Sequence, residues 1–155
     1  MVECGHRVLA TDFSESVIAE NQARYAEVAR LTFQTMTIAA PFPLAASRFD
    51  VIYAHLSLHY LPDLETRHVF RELHRVLRPG GVLAFLCKSI GDPLCGKGTL
   101  LEADMYEVNS HIRHFFSEEY ANSLLEGLFS LTNLTTGQET YYQRESAFVQ
   151  VIAQR

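Results

Sequence analysis

Three short apolar runs, RVLATD (residues 7–12), FDVIYAH (49–55) and GVLAFLCK (81–88), constrain this chain more than any other feature. Each is apolar at consecutive positions rather than at alternate ones. Such strands need cover on both faces, which is the pattern of a parallel sheet packed between helices. The intervening segments carry helical period. After the first run Ser14 stands as an N-cap with Glu15 in the first turn, and Val17, Ile18, Tyr25, Val28 and Ala29 predict a helix running to about Arg30. A strand follows over residues 31–38, ended by Pro41 and Pro43. After the 49–55 run, Leu64, Val69, Phe70, Leu73, Val76 and Leu77 share one face of a helix over 63–78, and Arg78-Pro-Gly-Gly stops it with Gly80 supplying a positive φ just past the cap. The class is therefore α/β: a mostly parallel sheet with helices on both faces.

The last third departs from that alternation. Residues 91–98 read as a loop, 100–109 as a short helix, and 117–126 as a helix capped by Ser117. Residues 128–134 and 147–153 read as strands with no helix between them, so they should form a C-terminal antiparallel pair. A length of 155 residues suits a single domain, with 91–116 as its lid region.

Charge and cysteine usage narrow the partners. With 13 Lys and Arg, scattered, against 18 Asp and Glu, the chain has a net charge of -5 and lacks the basic footprint that nucleic acid requires. Cys4, Cys87 and Cys95 are odd in number and form no CxxC, so neither a disulfide framework nor a zinc knuckle is expected, and a reducing cytoplasm fits. No apolar run approaches the ~18 residues of a membrane span, and MVECGHR lacks the apolar stretch of a signal peptide. The pairs His55 with His59 and His111 with His114 lack a third ligand in a metal-binding pattern, so no metal is expected.

In open α/β sheets ligands bind beyond the carboxyl ends of the strands. Asp12 ends the first run, where a carboxylate can accept hydrogen bonds from both hydroxyls of a ribose; its plainer role is that of a turn or capping aspartate. The ribose reading asks for a glycine-rich turn ~20 residues earlier, which falls before Met1. The later cluster GDPLCGKG does not replace it. Gly91, Gly96 and Lys97 keep phosphate-loop spacing, but Gly98 stands where a hydroxyl should hold magnesium and Pro93 lacks an N–H. His55 and His59 follow the 49–55 strand, where a substrate would lie and an imidazole could act as base; the competing reading is a histidine without a role. The loop 91–98, with three glycines and a proline, is expected to be a mobile gate whose neighbours Tyr106, His111, Arg113, His114 and Phe115 face an acceptor.

Taken together, GHRVLATDFSES, SRFDVIYAHLSLHYL and HVFRELHRVLRPGGVLAFLCKS resemble consecutive core motifs of the class I S-adenosylmethionine-dependent methyltransferases. The tail DPLCGKGTLLEADMYEVNSHIRHFFSEEY is similar to small bacterial members, including tellurite-resistance methyltransferase relatives. The resemblance implies a Rossmann-like fold, N-terminally incomplete here, and S-adenosylmethionine as cofactor, with Asp12 on its ribose, Phe13 flanking the adenine, and Ala54, His55 and Leu56 lining the methionine side. It also implies methyl transfer to a small-molecule acceptor, assisted by His55 or His59 as catalytic base. The chain departs from the family in lacking the first strand with its glycine-rich turn, and in carrying Met36 and Thr37 where many members place an acid for the adenine. The absent strand would lie between residues 7–12 and 49–53, so these should pair directly or be bridged by a homodimer partner or a complementing N-terminal segment. The expected function is thus a methyl-transfer core in an N-terminally truncated form. The competing reading is a catalytically inactive methyltransferase-like binding or regulatory protein that pairs through an open sheet edge.

Overall fold

The computed structural model describes residues 2–141 and 144–155. The chain divides into two compact units, Met1–Pro43 and Leu44–Arg155.

In the first unit a short 3-10 turn, Val2–Cys4, leads into strand β1 (Val8–Asp12), helix α1 (Glu15–Arg24) and strand β2 (Leu31–Thr35). A helical crossover permits parallel pairing, and β1 and β2 pair in parallel from Val8–Leu31 to Asp12–Thr35. The Ser14 hydroxyl caps α1 by accepting from the Val17 N–H at 3.4 Å. The helix ends at Arg24, not near Arg30 as the spacing suggests. Beyond it the Val28 N–H bonds the Tyr25 carbonyl and the Leu31 N–H bonds the Val28 carbonyl, tight turns that bring the chain back to β2. Tyr25 stacks on Phe33 of β2 with centroids 6.2 Å apart, a contact that favours this early return.

The second unit opens with β3 (Phe49–His55), α2 (Asp63–Val76) and β4 (Leu77–Lys88). It continues through β5 (Thr99–Glu102), β6 (Met105–Val108) and β7 (His111–His114), then α3 (Glu118–Leu125), β8 (Ser130–Tyr141) and β9 (Arg144–Gln154). Its larger sheet has the order β3-β4-β9-β8. The β3–β4 pair, joined through α2, is parallel, whereas β9 is antiparallel to both β4 and β8. Inward positions alternate along β4 (Leu83, Phe85, Cys87) and β9 (Ala147, Val149, Val151, Ala153), and all are buried. Phe70 of α2 meets Phe85 edge to face at 5.3 Å. Each such large side chain contributes about 1.5–3 kcal/mol by burial. Among the described residues no helix is long and apolar enough to cross a membrane.

Three expectations are corrected here. Leu64 is 76% exposed, because the buried stripe of α2 runs Thr66, Val69, Phe70, Leu73, Val76, and Leu64 lies about 200° round the helix from Thr66. Leu77 is already extended, so the helix stops at Val76; the positive φ of Gly80 falls inside β4, at the irregularity where its register against β3 shifts, and its N–H bonds the Arg155 carbonyl. Residues 99–114 form a three-stranded antiparallel sheet, β5-β6-β7, in place of a helix over 100–109. Its second turn, Asn109-Ser110, has φ of 50° and 62° at the two central residues, the twist that joins antiparallel strands. Within the units, β1 pairs with β2 and β3 with β4.

Candidate functional site

In the first unit, Asp12 sits half-buried at the carboxyl end of β1. One carboxylate oxygen accepts the Ser14 N–H at 2.8 Å, which is the turn role the sequence also allowed. The other oxygen has no partner among the described residues. Phe13, next in the chain, leaves 79% of its surface in solvent. A carboxylate with a spare acceptor beside an open aromatic face can take a ribose hydroxyl and a flat ring.

In the second unit, β3 ends in buried Ala54 and exposed His55, whose ring lies 6.1 Å from that of Tyr53. Leu56 then adopts φ 53°, a left-handed conformation costing a non-glycine residue about 1–3 kcal/mol. Its N–H, donated to the Leu86 carbonyl at 2.8 Å, holds it there. His59 has a different fate from His55. It is 1% exposed, and its Nδ1 has no partner among the described residues. Burial, helped by the positive charges of Arg113 and Lys88, pushes its pKa down to about 3. An imidazole that holds no proton until pH 3 is a poor base at neutrality. Of the two histidines expected as bases, only His55 reaches solvent.

The β5-β6-β7 sheet is tied to the carboxyl ends of β3 and β4. The His114 N–H donates to the His59 carbonyl (2.9 Å) and the Phe116 N–H to the Lys88 carbonyl (2.8 Å). The Glu102 carboxylate accepts the Asp63 N–H at 3.0 Å, capping α2, whose own N-cap Pro62 offers no side-chain acceptor. Cross-strand partners share a face, so the pairs Tyr106–Arg113 and Val108–His111 lie on one side with Leu100, while Met105–His114 and Glu107–Ile112 lie on the other. Tyr106 and Arg113 are half-buried and His111 is exposed. His114 and Phe115, expected beside an acceptor, are instead 4% and 2% exposed. His114 packs 4.5 Å from the Tyr120 ring and 5.4 Å from Phe116, with its Nδ1 3.3 Å from the Leu61 carbonyl. Both are packing residues, because the β7 pleat turns His114 inward and the chain then passes into the core.

Nor is the 91–98 loop a free gate. Asp92 is 3% exposed and accepts from Lys88 Nζ (2.8 Å), the Leu94 N–H (3.0 Å), the Ala147 N–H (3.2 Å) and Ser146 Oγ (3.2 Å). At the other end a Cβ on Gly98 would fall 2.1 Å from the Glu107 carbonyl oxygen, so the loop is seated against β6 as well. Sequence reading missed Asp92 and Glu102. The Asp-Pro pair that opens a turn marked the first; nothing local marked the second, whose partner is 39 residues away.

Residues 1–85 match a family described as a methyltransferase domain. The chain belongs to that family. This methyltransferase-family chain is 34% identical over 134 residues to a malonyl-[acyl-carrier protein] O-methyltransferase from Enterobacter lignolyticus, covering 84% of itself and 50% of that relative. It thus spans about half the relative's length. Among solved structures it is similar to a SAM-dependent methyltransferase from Methanosarcina mazei, with a TM-score of 0.74, 17% identity, and 96% and 81% of the two chains covered. It is also similar to the 1,6-didemethyltoxoflavin-N1-methyltransferase of Burkholderia thailandensis with bound S-adenosylhomocysteine, with a TM-score of 0.74, 21% identity, and 99% and 63% covered.

Proposed function

We propose that this methyltransferase-family chain binds S-adenosylmethionine and methylates a small-molecule acceptor. The observation that carries the reading is Asp12, which keeps one carboxylate oxygen unpartnered beside the open ring of Phe13 at the carboxyl end of β1. These residues fit the adenosine half of the cofactor. When bound, S-adenosylmethionine supplies an electrophilic methyl group on a sulfonium. Asp12 accepts from the ribose hydroxyls and Phe13 covers the adenine. In the second unit, taken by itself, the family resemblance assigns Ala54, His55 and Leu56 to the methionine side, and Leu56 has a left-handed backbone there. His55, open to solvent, takes the proton released by the acceptor's nucleophile. Acceptor residues come from the open face of the β5-β6-β7 sheet: Tyr106, His111 and Arg113. The three cysteines are free, which supports a reducing, cytoplasmic setting.

Calorimetric titration with S-adenosylhomocysteine tests the cofactor reading. Charge-assisted hydrogen bonds of ~1.5–3 kcal/mol make Asp12→Ala about ten- to hundredfold weaker in binding. Equal affinity of the variant and the parent chain would place the nucleotide elsewhere and sink the proposal.

A further inference from the structure

Four arginines of the described residues are half-buried: Arg67, Arg75, Arg113 and Arg155. Three of them have partners. Arg67 bonds the Asp63 carboxylate at 3.0 Å, Arg75 bonds that of Glu72 at 2.7 Å, and Arg155 donates to backbone carbonyls, among them that of Arg75 at 3.4 Å. Arg113 alone in this set has neither an ion pair nor a hydrogen bond among the described residues. An arginine whose stem is partly covered by the sheet and whose five N–H donors meet no acceptor among the described residues is positioned to bind an oxyanion ligand.

Its surroundings define the rest of the site. On the β7 pleat His111 stands two residues away on the same face, and Tyr106 lies directly across the ladder. Leu100, 60% exposed, and Val108 supply apolar surface on that face. Two carboxylates of the same small sheet are directed elsewhere: Glu107 projects from the opposite face with Ile112, and Glu102 caps α2 through the Asp63 N–H. Lys88, the other cation whose charge bears on His59, is held by Asp92 at 2.8 Å.

We propose that Arg113 is the specificity residue of the acceptor side and that the acceptor therefore carries an oxyanion, a carboxylate or a phosphate, on an apolar body. This inference rests on the reading of that sheet face as the acceptor side. A planar five-donor fork reads either group bidentately, which a point charge such as lysine does less well.

The test titrates octanoate, octyl phosphate and the uncharged octanamide into the full chain at low ionic strength, with binding followed by NMR. At least one of the two anions is expected to bind tenfold or more tightly than octanamide, and whichever binds better identifies the headgroup. Arg113→Gln should abolish that preference while leaving octanamide and S-adenosylhomocysteine binding as they were, and Arg113→Lys should restore part of it. Arg71→Gln, which removes the same charge from an exposed position on α2, should leave the preference intact. The inference is overturned if octanamide binds as well as the anions, if neither anion binds, or if Arg113→Gln retains the preference. The S-adenosylhomocysteine titration separates the two claims: lost cofactor binding with an intact, Arg113-dependent anion preference rejects the methyl-transfer reading alone.

Discussion

Replacing Asp92 should destabilise this protein more than any single exposed substitution, by an amount the structure lets us work out. The side chain is 1% exposed and its ion-pair partner Lys88 18% exposed, so Asp92→Ala strands a mostly buried ammonium as well as the Ala147 N–H and the Ser146 hydroxyl. Breaking a buried pair from one side costs about 3–5 kcal/mol, a large part of a domain's whole stability of roughly 5–15 kcal/mol. Asp92→Asn keeps an oxygen for the Leu94 and Ala147 N–H groups but loses the charge, so we expect about half that loss. In Lys88→Met/Asp92→Ala the stranded cation is gone, and the double variant should be more stable than the sum of the singles by about 1–3 kcal/mol.

The pH dependence supplies an independent sign. Burial pulls the Asp92 pKa up, but the Lys88 ammonium and the Leu94 and Ala147 N–H groups outweigh it and hold the carboxyl below its usual 3.8. A depressed folded pKa contributes stability that is fully present above the unfolded value and is lost as pH falls through the folded one. The gap between the parent chain and Asp92→Asn, read from urea unfolding, should therefore be wide at pH 7 and narrow below pH 3.8. An Asp92→Ala loss under about 1 kcal/mol at neutral pH, or a gap to Asp92→Asn that does not narrow in acid, would refute the account of the network.

Three further outcomes are expected. His59, with its pKa lowered from 6.5 to about 3, stays neutral in the fold while the unfolded chain takes up a proton, so stability falls on the order of 5 kcal/mol as pH drops across that interval; His59→Phe should flatten this limb of the calorimetric pH profile. Glu102→Ala removes the acceptor of the Asp63 N–H and should cost about 0.5–2 kcal/mol, with faster hydrogen exchange confined to the first turn of α2. Gly98→Ala forces a Cβ onto the Glu107 carbonyl at a φ of 87° and should cost more than the roughly 1 kcal/mol that such changes return where the backbone tolerates them, with β6 amides losing protection first.

What could be read ahead of the structure follows from how local each cause is. The 49–55 strand was legible to its last residue, since an unbroken apolar run with a helix behind it has few other places to go. The caps at Ser14 and Ser117 were legible for the same reason, each acceptor lying three residues from its donor. The β5-β6-β7 sheet was not, because Leu100, Leu101, Met105 and Val108 also satisfy helical spacing and it is the left-handed residues in its two turns, Asp104 and Asn109-Ser110, that decide for hairpins. The site divides along the same line. Asp12 and His55 stand at strand ends, where any open α/β sheet presents its ligands. His55 and His59 are indistinguishable by residue type and neighbourhood in the sequence, yet the turn at Leu56 leaves one ring in solvent and buries the other. Once HIRH is known to be a strand, its period of two assigns His111 and Arg113 to one face and Ile112 and His114 to the other. That single change of element sorts the expected acceptor residues: Arg113 faces the ladder partner Tyr106, and His114 faces the core.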